Sequence, residues 1–225
     1  FSGSPWTLAC YMIDGSSADD FRHAKTMMFS RPDLLEHILE INVQSVTAYL
    51  IEQVKAGAQA LMIFDTWGGL LPDGWYQRMS LAAMQKVIAL LPREYEGRKI
   101  PVIMFTKGGG IWLNDMAQVG ADVIAIDWTM RLSRARKQLL EINKPLALQG
   151  NLDPLILFSE PKQIAAAAQG LLEDLASAPA LKPGLHSLDG HIFNLGHGIN
   201  QFTPPESVAA LSETVISKSK ALRAV

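Results

Sequence analysis

The sequence predicts an α/β fold in which parallel strands alternate with helices. Short apolar runs without polar alternation, such as Ala60 to Phe64 and Val123 to Ile126, are typical of strands that are covered on both faces. Longer stretches with apolar residues at three- and four-residue spacing lie between these runs and predict amphipathic helices. Residues capable of chemistry stand directly after nearly every run. Together these observations predict about six βα units.

The first element is the stretch from Phe1 to Gly15, which reads FSGSPWTLACYMIDG. Its short apolar run predicts a buried strand that carries Tyr11 to its far end, and the pair Asp14-Gly15 predicts a closing turn. Tyr11 is then either a core ring whose hydroxyl binds the backbone or a functional side chain at a strand end.

Two helices follow the opening strand. Asp19 and Asp20 supply negative charge at the start of a helix that runs to about Ser30. Pro32 starts the second helix, whose apolar spacing continues as far as Gly57. The next predicted elements are the strand from Ala60 to Phe64, the helix from Trp75 to Leu91, the strand from Pro101 to Phe105 and the helix from Ile111 to Val119.

The second half of the chain continues the same alternation. Its predicted elements are the strand from Val123 to Ile126, the helix from Arg131 to Ile142, the strand from Pro145 to Leu148, the helix from Pro161 to Leu175, the strand from Ile192 to Leu195 and the helix from Pro205 to Leu222. Arg131, Arg134 and Arg136 are spaced for a mostly solvated basic face. The loop from Ser177 to Gly190 is too short to separate domains, so we expect residues 1–225 to form a single domain.

Parallel strands joined by helices allow an open doubly wound sheet or a barrel that lacks part of its circumference. An open sheet concentrates its site at one switch point, whereas a TIM (β/α)8 barrel builds its site from loops at the carboxyl ends of all strands. The residues at nearly every strand end favour the barrel. Because a closed barrel needs eight strands and the chain begins within a strand, we expect a barrel that lacks about two βα units at its N-terminal side.

Composition excludes several classes of function. With 48% hydrophobic residues in 225, the chain can bury a sizeable core. A net charge of -2 and no cluster of Lys and Arg argue against a nucleic-acid partner. Cys10 is the only cysteine, which excludes an internal disulfide and fits a reducing cytoplasm. No run approaches the roughly 20 apolar residues that span a membrane, so no membrane partner is expected.

His197 and Thr66 are the strongest candidates among the residues at strand ends. His197 stands between Gly196 and Gly198 after an apolar strand, where the ring can act as a neutral hydrogen-bond partner or as a cation that faces a carboxylate. A hydrogen-bonded structural histidine is the alternative. Thr66 follows Phe64-Asp65 and serves either as a cap or as a ligand-binding hydroxyl.

Other residues at strand ends have a structural interpretation that we favour. Lys107 raises the possibility of a Schiff base, but the glycines from Gly108 to Gly110 that follow it do not make the apolar pocket such a lysine needs. Those glycines predict a tight turn into a helix, since no phosphate-binding pattern accompanies them. Asp65, Asp127 and Asp153 could each bind a metal, yet carboxylates at these positions also serve as caps, and no metal site is expected.

Six motifs together closely resemble uroporphyrinogen decarboxylase of the bacterial type. They are FSGSPWTLACYMIDG at 1 to 15, FDTWGG at 64 to 69, FTKGGG at 105 to 110, DWT at 127 to 129, LQGNLDP at 148 to 154 and HIFNLGHGINQFTPPE at 191 to 206. The resemblance extends over essentially the whole chain. Asp14, where the family usually has Glu, and a longer segment at 180 to 189 are the departures.

The resemblance implies a cofactor-independent carboxy-lyase with a TIM-barrel fold. Members of this family convert the four acetate side chains of uroporphyrinogen III to methyls, which gives coproporphyrinogen III in haem biosynthesis. The resemblance implies that Tyr11, Thr66 and His197 contact this substrate and that Phe1 and Phe64 line the cleft. It also implies a cytoplasmic homodimer.

The resemblance places the family's catalytic Asp and its substrate-binding arginines upstream of Phe1. No catalytic residue is therefore expected within this chain, and we expect residues 1–225 alone to be inactive.

Two other functions fit the residues in part. A corrinoid- or methionine-related methyltransferase of the same superfamily would hold zinc with a His and two Cys, and Cys10 is the only thiol. A non-catalytic tetrapyrrole-binding or purely structural relative is the other alternative. The presence of Tyr11, Thr66 and His197 together argues against the second alternative without excluding it.

Overall fold

The structure is a computed structural model that describes residues 1–15 and 20–224. The chain divides into two compact units, Phe1–Val123 and Ile124–Val225. Parallel strands alternate with helices within each unit, which confirms the predicted α/β class.

Unit 1 contains a small parallel sheet and a long helix. Strands β1 (Ser2–Gly3), β2 (Leu61–Asp65) and β5 (Val102–Thr106) lie side by side in that order, and Asp65 at the end of β2 is in register with Thr106 at the end of β5. The remaining elements are α1 (Pro5–Asp14), α2 (Arg22–Ser30), α3 (Pro32–Lys55), a π-helical segment (Tyr76–Leu81) that continues as α4 (Ala82–Leu90), the antiparallel hairpin of β3 (Glu94–Tyr95) and β4 (Arg98–Lys99), and α5 (Leu113–Met116).

The predicted opening strand is wrong. Only Ser2–Gly3 is extended, and the ten residues from Pro5 to Asp14 form α1. The helix starts because the Ser4 hydroxyl accepts a hydrogen bond from the Thr7 amide at 3.0 Å, which caps the amino end, and Pro5 occupies the first turn with its fixed backbone angle. Trp6, Ala9 and Cys10 are buried at helical spacing, so the apolar run belongs to a helix face.

Most of the other predicted elements of unit 1 are confirmed with small shifts in their bounds, but only Leu113–Met116 of the predicted helix from Ile111 to Val119 are α-helical. Helix α3 starts at Pro32 as predicted and buries one face, which packs against α1, α2 and α4. Helix α2 ends at Ser30 as predicted, and the Asp20 carboxylate accepts a hydrogen bond from the Arg22 amide at its start, while Asp19 lies outside the described residues. The hairpin β3 and β4 has no predicted counterpart, because two-residue strands leave no periodic signal.

Unit 2 begins within β6 (Val123–Ala125), whose last two residues belong to it. Its other elements are α6 (Leu132–Glu141), β7 (Ala147–Leu152), α7 (Pro161–Ala176), β8 (His191–Leu195) and α8 (Pro205–Arg223). Strands β7 and β8 are parallel, with Leu152 opposite Leu195. Helices α7 and α8 pack together over an apolar cluster that includes Leu157, Ile164 and Leu211. Strand β7 extends four residues beyond its predicted end at Leu148.

The predicted solvated basic face of α6 is wrong at Arg136. Arg131 and Arg134 are exposed, but the Arg136 side chain has no exposed surface. Its guanidinium donates to the carbonyl oxygens of Ser187, Asp189 and Gly190 at 3.4, 3.2 and 3.5 Å. The loop before β8 is therefore held by a buried cation on α6, because its turning backbone leaves carbonyls that need donors.

Helices long and apolar enough to span a membrane are absent from the described residues.

Candidate functional site

An aromatic cluster of Tyr11, Phe21 and Trp67 lies next to the end of β2 in unit 1. The rings of Phe21 and Trp67 are 4.8 Å apart, and Tyr11 meets both rings edge-on at 6.1 and 6.4 Å between centroids. Phe21 is buried, whereas Tyr11 is 38% exposed. Tyr11 is therefore not the enclosed core ring of the structural alternative, and its side chain is accessible beside the residue that follows Thr66.

Thr66 is half-buried immediately after β2. Within residues 1–15 and 20–224, its hydroxyl has no hydrogen-bond partner, so it does not act there as the cap of a turn or helix. A half-buried hydroxyl without a hydrogen-bond partner in the described residues remains available to a ligand.

Phe1 and Phe64 pack against each other with ring centroids 5.6 Å apart, at the position where β1 pairs with β2. Phe1 is 76% exposed, and Phe64 is half-buried. An exposed aromatic pair of this kind offers an apolar wall of the type that lines ligand clefts. Unit 1 thus contains four of the five predicted site residues.

A buried carboxylate lies beneath these residues. Asp65 has no exposed surface, and its oxygens accept hydrogen bonds from the hydroxyls of Ser4 at 2.7 Å, Thr7 at 2.8 Å and Ser80 at 2.5 Å. The Gly68 amide also donates to it. Burial raises the pKa of the Asp65 carboxyl above its usual value, and the four hydrogen bonds oppose that rise. Groups of the protein itself therefore donate all four of these hydrogen bonds to the carboxylate.

The end of β5 forms the turn that the glycines predict. Gly108 has a φ of 73°, in the left-handed region that favours glycine, and residues Gly109–Trp112 form a 3-10 turn that leads into α5. A Cβ at Gly109 would lie 2.7 Å from that of Thr106, so this turn also needs a residue without a side chain. Lys107 is half-buried, and its amide donates to the Asp65 carbonyl.

His197 lies in unit 2, two residues after the end of β8, and is half-buried. The preceding Gly196 is buried between strand ends: its amide donates to the Leu152 carbonyl at 2.7 Å, and a Cβ at this position would lie 2.8 Å from the Trp128 ring and 3.0 Å from the Asp127 Cα. A Cβ at Gly198 would meet nothing within 4 Å. The backbone that carries His197 is therefore fixed on one side and open on the other.

Asp127 and Asp153 act as caps, as the structural interpretation predicts. The Asp127 carboxylate accepts from the Thr129 amide at 3.0 Å and from the Thr129 hydroxyl at 2.5 Å. The Asp153 carboxylate accepts from the Leu155 amide at 2.9 Å. Among the described residues, no group of three or more His, Cys, Asp and Glu side chains is placed to hold a metal ion.

Cys10 is buried on α1. Burial raises the pKa of its thiol well above its ordinary value, and the nearby carboxylates of Asp65 and Asp14 raise it further. Since zinc is bound by the thiolate, this environment disfavours the metal site that a zinc methyltransferase needs.

Sequence reasoning missed Phe21, Thr7 and Ser4 as parts of the site's surroundings. Phe21 gives no periodic signal in its short segment, although the ring packs against both Tyr11 and Trp67. Ser4 and Thr7 carried a signal that could have been recognised. A serine directly before a proline is typical of a helix N-terminus, and that assignment would have placed Thr7 on the same helix as Tyr11.

The chain matches the family model described as uroporphyrinogen decarboxylase (URO-D) over residues 1–217. Curated relatives named uroporphyrinogen decarboxylase include a protein of Cupriavidus metallidurans, 54% identical over 224 residues, one of Cupriavidus pinatubonensis, 55% identical over 223, and one of Burkholderia thailandensis, 53% identical over 223. These alignments cover 99 to 100% of the chain. The chain spans 58 to 59% of the length of these relatives.

Proposed function

Because the chain belongs to the uroporphyrinogen decarboxylase family, we propose that its site serves the decarboxylation of uroporphyrinogen III to coproporphyrinogen III. The observation that carries the proposal is the identity of about 54% to relatives of that name along the whole chain. The product enters haem and other tetrapyrrole synthesis. The reaction removes the carboxyl group from each of four acetate side chains and leaves a methyl group.

The chemistry of the reaction explains which groups the site needs. Loss of CO2 from an acetate on a pyrrole requires an electron sink, which protonation of the adjacent ring carbon supplies. An acid must deliver that proton, and a carboxylate can stabilise the cationic ring that forms. The eight carboxylates of the substrate also need cations or hydrogen-bond donors, since a desolvated carboxylate is costly unless it is paired.

We assign Tyr11, Thr66 and His197 to substrate binding, with Phe1 and Phe64 as apolar walls. The exposure of Tyr11 and the unpaired hydroxyl of Thr66 within the described residues support this assignment. Tyr11 and Thr66 can donate hydrogen bonds to substrate carboxylates, and protonated His197 can add positive charge. None of the three provides a strong acid or the stabilising carboxylate, so a catalytic Asp is expected elsewhere in the family's domain.

We also propose that residues 1–225 belong to one TIM-barrel domain of which they form about six βα units. The parallel strand pairs within each unit and the family assignment support the barrel. By the same resemblance, the enzyme is a cofactor-independent homodimer in the cytoplasm. Light scattering of the purified protein tests the dimer, since a monomer mass would contradict it.

An anaerobic turnover assay with the complete gene product tests the function. Uroporphyrinogen III should be converted through hepta- to tetracarboxylate products, which are separated by chromatography after oxidation to porphyrins. Binding of substrate without loss of CO2 would contradict the activity and favour the non-catalytic tetrapyrrole-binding alternative.

Two substitutions test the assigned binding residues. Tyr11→Phe removes a hydrogen-bond donor to the substrate, and His197→Asn removes the imidazole and the positive charge that it can carry. In each variant kcat/KM should fall by about tenfold, the effect of one lost interaction with a charged group. Thermal unfolding should stay close to the wild type, because both side chains are partly exposed. Unchanged kcat/KM in both variants would remove these residues from the site.

A further inference from the structure

The Asp65 carboxylate joins segments that are far apart in the chain. Ser4 and Thr7 donate to it from the start of α1, Gly68 donates from the loop after Thr66, and Ser80 donates from the π-helical segment. All four donors meet one side chain that has no contact with solvent. The Asp65 carboxylate therefore joins the start of α1 to the end of β2 through buried hydrogen bonds.

Thr7 is the donor that connects Asp65 to the candidate site. Its hydroxyl donates to Asp65 Oδ1 at 2.8 Å and accepts from the Trp67 amide at 3.4 Å. The Trp6 indole on the same helix donates to the Trp67 carbonyl at 3.2 Å. Helix α1 thus contacts both polar backbone atoms of the residue that directly follows Thr66.

The same helix carries Tyr11 one turn after Thr7. The Tyr11 ring lies 6.4 Å from the Trp67 ring, so the hydrogen bonds of Thr7 and the aromatic contact hold the same two segments together. The relative position of Tyr11 and Thr66 follows from these contacts.

Only a carboxylate can accept all four hydrogen bonds. Asp65 presents two oxygens with room for two donors each, whereas an asparagine in its place would turn an NH2 group toward at least one of those donors. The Gly68 amide cannot reverse its role, and close packing prevents a shift: a Cβ at Gly68 would lie 1.9 Å from Asp65 Oδ2. The hydrogen-bond network therefore requires both the carboxylate of Asp65 and a residue without a side chain at Gly68.

We propose that Asp65, acting through Thr7, is a positioning residue that holds Tyr11 and Thr66 in one arrangement for the substrate. The inference rests on the proposed function, since it assigns a role in that site. Preorganised binding groups lower the free energy of binding because they are not reordered when the substrate arrives. Loss of the Thr7 hydroxyl should therefore weaken substrate binding although Thr7 is itself buried.

Thr7→Val in the complete gene product tests the proposal, because valine keeps the shape and removes the hydroxyl. We expect KM for uroporphyrinogen III to rise by about tenfold with kcat within about twofold, since a misplaced binding group costs affinity. Thr7→Ser restores the hydroxyl and should restore KM. If the valine variant does not fold, Thr7→Cys replaces it. The cysteine side chain is similar in volume to that of threonine, and its thiol is only a weak hydrogen-bond donor.

Ser80→Ala is the matched control. It removes another hydroxyl from the same carboxylate, but Ser80 belongs to a segment that carries neither Tyr11 nor Thr66. We expect thermal stability to fall by a similar amount in both variants, about 5 °C, and KM to stay near the wild-type value in Ser80→Ala.

Four outcomes overturn the inference. Wild-type KM in Thr7→Val, or an equal rise of KM in Thr7→Val and Ser80→Ala, would make the network purely structural. Failure of Thr7→Ser to restore KM would exclude the hydroxyl as the cause. Absence of turnover in the wild type would contradict the proposed function itself, and the positioning role would fall with it.

Discussion

Gly196 and Gly198 flank His197 symmetrically in the sequence, but the structure gives them different roles. Gly196 is buried where a Cβ would come within 2.8 Å of Trp128 and 3.0 Å of the Asp127 backbone. Gly198 is exposed, and a Cβ there would meet no atom within 4 Å. The sequence alone does not distinguish the two glycines. The contacts instead show that Gly196 allows close approach of two strand ends.

Gly196→Ala should lower the free energy of unfolding by about 2 kcal/mol, since backbone atoms that oppose the new methyl cannot move away cheaply. Gly198→Ala should change it by less than about 0.5 kcal/mol. Urea unfolding of the two variants measures both values. Equal effects of the two substitutions would contradict the assigned contact.

Arg136 shows why some residues of this fold could not be predicted. Its spacing with Arg131 and Arg134 is that of a solvated face, and nothing nearby in the sequence opposes that interpretation. The groups that bind it are carbonyls of the loop before β8, which lie about 50 residues later in the chain and become neighbours only after folding. Burial of a charged side chain depends on such distant partners.

Among the elements, the long periodic helices could be predicted and α1 could not. Helix α3 spans 24 residues with a clear apolar face, and its start at Pro32 agrees with the sequence prediction. Helix α1 spans ten residues, and its short apolar run fits a strand or a helix equally well. The Ser4-Pro5 pair decides between them through capping, a local signal that periodicity does not contain.

Strand β8 carries a histidine whose environment predicts a pH dependence. The Nε2 of His191 donates to the Gly150 carbonyl at 2.9 Å, which joins β8 to β7. Burial lowers the pKa of His191 below its ordinary value of 6.5, and the cations of Arg136 and Arg223 lower it further. Since the unfolded chain binds this proton more readily, stability should fall as the pH decreases below 6.5.

His191→Gln tests this dependence, because the glutamine amide can still donate to Gly150 and does not titrate. The loss of unfolding free energy between pH 8 and pH 5, measured by urea unfolding at about four pH values, should be smaller in the variant than in the wild type. His37→Gln, at an exposed position on α3, is the control. Identical pH profiles of wild type and His191→Gln would contradict the assignment.

At the scale of the whole molecule, family membership and the α/β class could be predicted because both rest on long stretches of sequence. The motifs at 1 to 15 and 191 to 206 are specific enough to identify the family, and the family model matches residues 1–217. The arrangement of the candidate site was less predictable. Phe21, Thr7 and Asp65 act through contacts between segments, and the sequence does not show which segments meet after folding.

A structure of the complete gene product with coproporphyrinogen bound tests the proposed site most directly. We expect the tetrapyrrole to lie within hydrogen-bond distance of Tyr11, Thr66 and His197. The Asp65 carboxylate should stay buried, hydrogen-bonded to Thr7 and out of contact with the tetrapyrrole. A tetrapyrrole bound away from these three side chains, or one that contacts His197 alone, would contradict the proposed site.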